Sequence, residues 1–130
     1  IRRDHEGVNQ MSVALLIVDH GSTRASANSM LEDVAEVLRR KRPDLIVEFA
    51  HMELAEPSIQ QGFENCVQAG ATEVIVHPYM LSPGRHASKD IPILAAQAAK
   101  RFPKVKWRCT KPLGLHDKIG EVVLERAGLL

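Results

Sequence analysis

The chain has 130 residues, of which 45% are hydrophobic and 25% charged, and its formal net charge is +1. This length and balance fit one globular domain with its own core. Aromatic residues make up only 4% and no basic cluster is interleaved with them, which argues against a base-stacking surface for nucleic acid. No apolar run approaches the roughly 18 residues of a membrane span.

The start of the chain and the cysteines bear on processing and redox state. The first residues are polar and lack the apolar segment of a secretory signal. We predict that residues 1–12 are a disordered or non-native tail, with Met11 as a candidate natural start, and that the domain covers 13–130.

Cys66 and Cys109 are too few and too far apart for a disulfide framework or a CxxC metal site. Reduced, packed cysteines suit a reducing compartment.

Four apolar runs alternate with four helical patterns. The predicted strands are 14–18, 45–50, 74–76 and 105–109, and the first is a continuous apolar run typical of a strand buried on both faces. Apolar spacing and end signals predict helices over 27–40, from Pro57 to Gly70, over 91–100 and over 118–126. The order βαβαβαβα predicts a single α/β domain, with a four-stranded parallel sheet and helices on both faces.

Polar residues follow every predicted strand, at the edge where the carboxyl ends of parallel strands meet. In chain order these loops contain His20 and Arg24, then Glu53 and Glu56, then residues 82–86, and finally His116. His20, Glu53 and His86 follow three different strands, so we expect them to converge in one crevice. Neutral imidazole and carboxylate suit Fe²⁺, Co²⁺ or Zn²⁺, and an incomplete ligand set leaves coordination positions open for a substrate.

Structural interpretations also fit these residues. Glu53 could be a satisfied carboxylate at a strand end, while Glu56 and Asp90 are placed to cap the helices at Pro57 and Ile91-Pro92. Arg85 and Lys89 are either solvated charges or clamps for substrate carboxylates. Three other histidines lie in the domain: His51, His77 and His116. We favour structural roles for His51 and His77 and assign no role to His116.

Four short motifs lie at these strand ends. They are Asp19-His20-Gly21-Ser22; residues 51–59, HMELAEPSI; residues 81–86, LSPGRH, with Asp90-Ile91-Pro92; and Pro112-Leu113-Gly114 with His116. Together they resemble the small sirohydrochlorin chelatase family, the single-domain class II chelatases. The resemblance extends from about residue 14 to 126, and the second motif looks closest to the sirohydrochlorin ferrochelatase branch of plastids and some bacteria.

The resemblance implies a lyase that inserts Fe²⁺, or else Co²⁺, into sirohydrochlorin without ATP, in siroheme or cobalamin biosynthesis. It implies that His20 and His86 are metal ligands, that His20 is also the proton acceptor, and that Glu53 is the acidic partner. It also implies that several positions face the tetrapyrrole: Glu56, Leu81, Ser82, Pro83, Gly84 and Arg85. We further predict that Arg24 and Lys89 pair with substrate carboxylates alongside Arg85.

The resemblance also bears on cofactors, assembly and location. The metal is a substrate, and no prosthetic group is expected, because the extra cysteines that hold an iron–sulfur centre in the plastid branch are missing here. We expect sirohydrochlorin as the only partner besides a second copy: short family members are homodimers, and the domain is small for a wide ligand. We predict a cytoplasmic protein, with the plastid stroma as the alternative.

Two other functions remain open. One is a non-catalytic metal or tetrapyrrole carrier on a flavodoxin-like scaffold, because the fold alone does not fix function. The other is a histidine phosphatase, since His20-Gly21-Ser22-Thr23-Arg24 faintly resembles an R-H-G phosphate pocket. That chemistry requires an arginine before the histidine, whereas Asp19 would repel a phosphoryl group, so the phosphatase is disfavoured.

Overall fold

The computed structural model describes residues 11–82 and 84–130. Eight elements alternate along the chain: β1 (Val13–Asp19), α1 (Ala25–Lys41), β2 (Ile46–His51), α2 (Ile59–Gln68), β3 (Glu73–Pro78), α3 (Gly84–Ala99), β4 (Lys106–Cys109) and α4 (Asp117–Arg126). The predicted order is confirmed, and only α3 begins far from its predicted start. Most of the predicted tail falls on residues 1–10, outside the described part, while the backbone N–H of Ser12 donates to Oγ1 of Thr72 (2.8 Å).

The four strands form one parallel sheet in the order β2-β1-β3-β4. Strand β1 lies between β2 and β3, with Ala14 paired to Ile46 on one side and to Val74 on the other. This confirms the predicted sheet. Because every strand runs the same way, all the loops that lead into helices start at the same edge.

Both faces of β1 are buried, which accounts for its continuous apolar sequence. Leu16 belongs to the core that α2 and α3 close with Phe63 and Ile91. Ile17 points the other way, into a smaller core that α1 closes with Leu31. Helices therefore cover both faces of the sheet, as predicted. No helix in the described part of the chain is long and apolar enough to cross a membrane.

The fourth helix belongs to neither core. None of the ten residues of α4, all of which the structure describes, is buried. Val122 and Val123 are 50% and 61% exposed. The layer on the α1 side of the sheet is consequently one helix wide in this structure.

Helix α3 begins at Gly84 rather than at Ile91, so the prediction of its start was wrong. Arg85 and His86 lie in its first turn instead of a loop, and Asp90 is inside the helix instead of capping it. The sequence is misleading here because proline favours the first turn of a helix. Pro92 instead lies within α3, where it removes one backbone hydrogen bond.

The N-cap of α2 is Ser58, so the prediction that Glu56 caps a helix beginning at Pro57 was also wrong. Oγ of Ser58 accepts from the N–H of Gln61 (3.2 Å), and the side chain of Gln61 accepts from the N–H of Ser58 (2.8 Å), which forms a capping box. At the other end, Gly70 has a φ of 107°, which confirms it as the predicted glycine after the C-cap.

Candidate functional site

An open cleft of about 460 Å³ lies at the carboxyl edge of the sheet. The residues that line it follow β1, follow β2, or lie in the first turns of α3: His20, Met52, Glu53, Gly84, Arg85, His86 and Asp90. The three residues predicted to share one crevice, His20, Glu53 and His86, therefore line the same cleft. Their chemical roles remain predictions.

Backbone hydrogen bonds tie the loop after β1 to the loop after β2. The N–H of Met52 donates to the carbonyl of Asp19 (2.9 Å), and the N–H of Glu53 donates to the carbonyl of His20 (3.1 Å). These bonds continue the pairing of the two strands beyond Asp19 and His51. The main chain thus fixes the positions of His20 and Glu53 relative to each other.

Gly21 lets these two loops come together. Its φ is +89°, and a Cβ placed on it would lie 1.8 Å from the carbonyl oxygen of Glu53 and 3.1 Å from Cβ of His51. No side chain fits in that space, and L-residues rarely adopt that φ. The glycine of the first motif is therefore required by the contact between the loops.

Next to this contact, a buried histidine bridges the ends of β1 and β2. His51 is 1% exposed, and its Nδ1 donates to Oδ1 of Asp19 over 2.6 Å. Its ring also packs against that of Phe49 in a T-shaped arrangement, with ring centroids 6.0 Å apart. The bond to Asp19 places the proton on Nδ1 and fixes the ring. The burial and this bond fit the structural role predicted for His51, which stays a prediction.

A polar side chain of α1 holds the loop that follows His20. Oδ1 of Asn28 accepts from the N–H of Ser22 (3.0 Å), while its Nδ2 donates to the carbonyl of Ser22 (2.8 Å). The hydroxyl of Ser22 accepts from the N–H of Arg24 (3.0 Å). The loop is therefore bonded at both ends, to β2 and to α1.

The third part of the cleft is the N-terminal end of α3. His86 and Asp90 are four residues apart, so they lie on one face of this helix. The helix dipole places partial positive charge at this end, and Arg85 adds a full charge. This side of the cleft therefore favours anionic groups, with Asp90 as a local exception.

Sequence analysis missed two of the lining residues, Met52 and Asp90. The four-residue spacing from His86 would have identified Asp90 once Arg85 and His86 were placed in a helix. Met52 lies between His51 and Glu53 at the end of β2, and nothing in its residue type distinguishes it from a core methionine.

The loop between β3 and α3 holds other predicted substrate contacts. Leu81 and Ser82 are exposed, and Pro83 lies outside the described residues. The carbonyl of Leu81 accepts from the N–H of Gly114 (3.1 Å), so this loop is tied to the one after β4. Gly84, at the start of α3, lines the cleft.

Besides Leu81 and Ser82, three more of the predicted substrate residues lie outside the cleft lining. Glu56 borders a separate concavity beside α2 and accepts from the side-chain amide of Gln61 (3.3 Å). Arg24 is the N-cap of α1 and Lys89 lies on α3, and both are exposed. The structure therefore brings Arg85, but neither of the other two cations, into the cleft.

The side chains of the cleft that are predicted to bind a metal are open to solvent. His20, Glu53 and His86 are all exposed. Within residues 11–82 and 84–130, no three histidine, cysteine, aspartate or glutamate side chains form a group that could hold a metal ion. The arrangement thus differs from the closed four-ligand cage of a structural zinc site, and the predicted ligand set stays a prediction.

The remaining histidines and the cysteines lie away from the cleft. Nδ1 of His77 and the hydroxyl of Thr110 share a hydrogen bond (2.8 Å), and burial lowers the pKa of His77. His116 caps α4, its Nδ1 accepting from a backbone N–H (3.1 Å). Both cysteines are free thiols; burial raises the pKa of Cys66 to about 12 and also raises that of Cys109.

Known proteins are similar to this chain in both sequence and fold. A family model described as CbiX matches residues 14–128. The chain is 50% identical to the chloroplastic sirohydrochlorin ferrochelatase of Arabidopsis thaliana, over 86% of this chain and 50% of that protein. It is 32% identical to the sirohydrochlorin cobaltochelatase of Methanococcus maripaludis, over 88% of this chain and 96% of that protein.

A solved structure agrees with these matches. The sirohydrochlorin chelatase SirB from Bacillus subtilis subspecies spizizenii, in complex with cobalt, superimposes with a TM-score of 0.82 at 35% identity, over 91% of this chain and 50% of that one. The chain spans about half the length of the Arabidopsis and Bacillus relatives. Because the family model matches nearly all of the described domain, the chain belongs to the CbiX family.

Proposed function

We propose that this chain inserts a divalent metal, Fe²⁺ or Co²⁺, into sirohydrochlorin without ATP. The cleft carries the proposal, because it brings together an imidazole and a carboxylate from two loops and a second imidazole from the first turn of α3. The names of the relatives support the substrate: they include both a ferrochelatase and a cobaltochelatase for sirohydrochlorin, and the solved relative is a complex with cobalt.

The open arrangement suits a metal that must leave again. Imidazole and carboxylate bind borderline divalent ions well, and exposed donors leave coordination positions free for water or substrate. In this proposal His20, Glu53 and His86 hold the ion at the mouth of the cleft. The pyrrole nitrogens then replace these ligands one after another, so the ion passes to the ring.

Metal entry also requires the inner N–H protons of the macrocycle to leave. An imidazole has an ordinary pKa near neutrality, so it can accept a proton at working pH. We assign this role to His20. The backbone N–H of Glu53 donates to the carbonyl of His20 and so holds the two residues together. In this proposal the proton acceptor, His20, therefore lies beside the carboxylate that also binds the metal.

Charge at the cleft suits an acidic tetrapyrrole. Arg85 lines the cleft at the N-terminal end of α3, and both the guanidinium and the helix dipole favour carboxylates. In the proposed complex Arg24 and Lys89, which lie outside the cleft lining, pair with carboxylates at the rim of the ring.

We also propose that the chain acts as a homodimer in the cytoplasm, with the plastid stroma as the alternative.

Absorbance spectroscopy under anaerobic conditions tests the activity. Sirohydrochlorin is mixed with Fe²⁺ or Co²⁺ and a catalytic amount of protein, and we expect conversion well beyond one equivalent. We expect His20→Ala and His86→Ala to reduce the rate to the uncatalysed level. His116→Asn is the matched control, because it changes a histidine outside the cleft and retains a residue type that caps helices.

The same experiment separates the alternatives. Binding of sirohydrochlorin without turnover would favour the carrier, and full activity in both histidine variants would refute the assignment of His20 and His86. If the protein neither bound nor converted the tetrapyrrole, the proposal would fail and only the family and the fold would remain.

A further inference from the structure

An acidic side chain of the cleft, that of Asp90, has no part in the function proposed above. It lines the cleft together with His20, Glu53 and His86, and it is exposed. Asp90 lies beyond the first turn of α3, which contains no acidic residue. It is therefore neither an N-cap nor placed where a carboxylate gains most from the helix dipole.

Contacts with charged groups do not account for Asp90 either. None of the ion pairs among residues 11–82 and 84–130 includes it. Aspartate is also one of the less favourable residues in the interior of a helix, because its side chain competes for backbone hydrogen bonds. The helix would thus be at least as well served by another residue at this position.

The charge of Asp90 opposes one substrate of the proposed reaction and favours the other. An acidic tetrapyrrole carries carboxylates, which Arg85 and the N-terminal end of α3 attract but which a carboxylate in the same cleft repels. A divalent metal ion is attracted instead. Because the two substrates have opposite charges, an acidic residue at this position assists the reaction through the metal.

The position of Asp90 relative to His86 suits such a role. The two residues are four apart on α3, so their side chains lie on one face of the helix, with Cβ atoms about 5–6 Å apart. Carboxylate and imidazole both bind Fe²⁺ and Co²⁺. An ion held by Asp90 is therefore within one helical turn of the imidazole that is proposed to bind it next.

The open form of the cleft assigns Asp90 to the arrival of the ion. In the two described ranges, 11–82 and 84–130, no three side chains of the ligand types form a group that could enclose a metal. A hydrated ion is attracted by charge before any donor touches it, whereas a neutral imidazole acts only on contact. An exposed carboxylate in a cleft thus raises the local concentration of cations, and salt weakens this effect.

We propose that Asp90 is a further metal-binding residue of the cleft, which receives the hydrated divalent ion and passes it to His86. One water ligand leaves the ion for each protein donor that binds, and no electron is transferred in this step. The subsequent fate of the ion rests on the proposed function. Its capture by Asp90 does not require the tetrapyrrole, so it can be measured separately.

Calorimetric titration of the full chain with Co²⁺ alone tests the capture. We expect Asp90→Asn to raise the Kd for Co²⁺ about tenfold, as removal of a group beside a metal commonly does. Asp33→Asn is the matched control, because Asp33 is also an exposed aspartate inside a helix, α1, but lies outside the cleft lining. It should leave the Kd unchanged. Equal Kd values for wild type and Asp90→Asn would overturn the proposal.

A double-mutant cycle tests the transfer to His86. If Asp90 and His86 contact the same ion, Asp90→Asn should raise the Kd for Co²⁺ less in a His86→Ala background than in the wild-type chain. Additive effects would show that the two residues act independently, and they would refute the transfer. Asp90→Glu keeps the carboxylate and should restore most of the affinity.

Steady-state kinetics distinguish metal capture from contact with the tetrapyrrole. We expect Asp90→Asn to raise the KM for Co²⁺ about tenfold. The KM for sirohydrochlorin should stay the same or fall, because a repulsive charge is removed. A higher KM for sirohydrochlorin with an unchanged KM for Co²⁺ would overturn the proposal. If the wild-type chain showed no turnover, the proposed function would fail, while the titrations with Co²⁺ alone would still decide whether Asp90 captures the ion.

Discussion

Replacing Gly21 with alanine tests whether the contact between two loops sets the geometry of the cleft. The new Cβ would begin 1.8 Å from the carbonyl oxygen of Glu53, so the two loops must separate by more than an ångström. The left-handed backbone conformation costs about 1–2 kcal/mol for a residue other than glycine. Loss of the hydrogen bond from Glu53 to His20 adds about 1 kcal/mol. We therefore expect a destabilisation of about 2–3 kcal/mol.

Activity should fall more steeply than stability, because the separation moves Glu53 away from His20. A displacement of about 1 Å in a catalytic group costs on the order of 100-fold in rate. The assays are urea denaturation followed by circular dichroism, and metal insertion at a temperature where the variant remains folded. Gly114→Ala is the matched control: its φ is +61°, but the nearest atom to the new Cβ is 4.0 Å away. Equal effects of the two substitutions on both stability and activity would refute the reasoning.

Two further predictions follow from shifted pKa values. Burial and the charge of Glu48 raise the pKa of Cys66 to about 12. We therefore expect iodoacetamide at pH of about 8 to leave Cys66 unalkylated until urea is added. Mass spectrometry of the peptides measures the labelling, and labelling of Cys66 before urea is added would contradict this prediction. Burial lowers the pKa of His77 from 6.5, so the unfolded chain takes up that proton first as the pH falls. Folded wild type should therefore lose more unfolding free energy between pH of about 7.5 and 5 than His77→Asn, and equal losses would exclude this linkage.

The fold was predictable from local patterns. The run of residues 14–18 is apolar throughout because β1 is buried on both faces, and the alternation of strands and helices leaves few other arrangements. The same topology places His20, Glu53 and His86 at one edge, so their shared cleft was predictable too. What these predictions have in common is that they depend on the order of the elements and not on individual side-chain contacts.

The remaining features depend on tertiary contacts. The predicted start of α3 was wrong because a proline such as Pro92 usually marks the first turn of a helix. Here the proline lies inside a packed helix, which tolerates it. That error concealed the position of Asp90 beside His86. The requirement for glycine at Gly21 was not predictable either, because the obstructing atom belongs to Glu53, which is distant in sequence.

The hydrogen bonds between the loops after β1 and β2 use only main-chain atoms, and this has a consequence for protein engineering. Such bonds do not depend on which side chain occupies positions 20 or 53. Donor groups at these positions can therefore be exchanged while the backbone that carries them keeps its shape. On the metal-ligand roles proposed above for His20 and Glu53, selection, natural or in the laboratory, would vary the affinity for different metals on a constant frame, provided that Gly21 is retained.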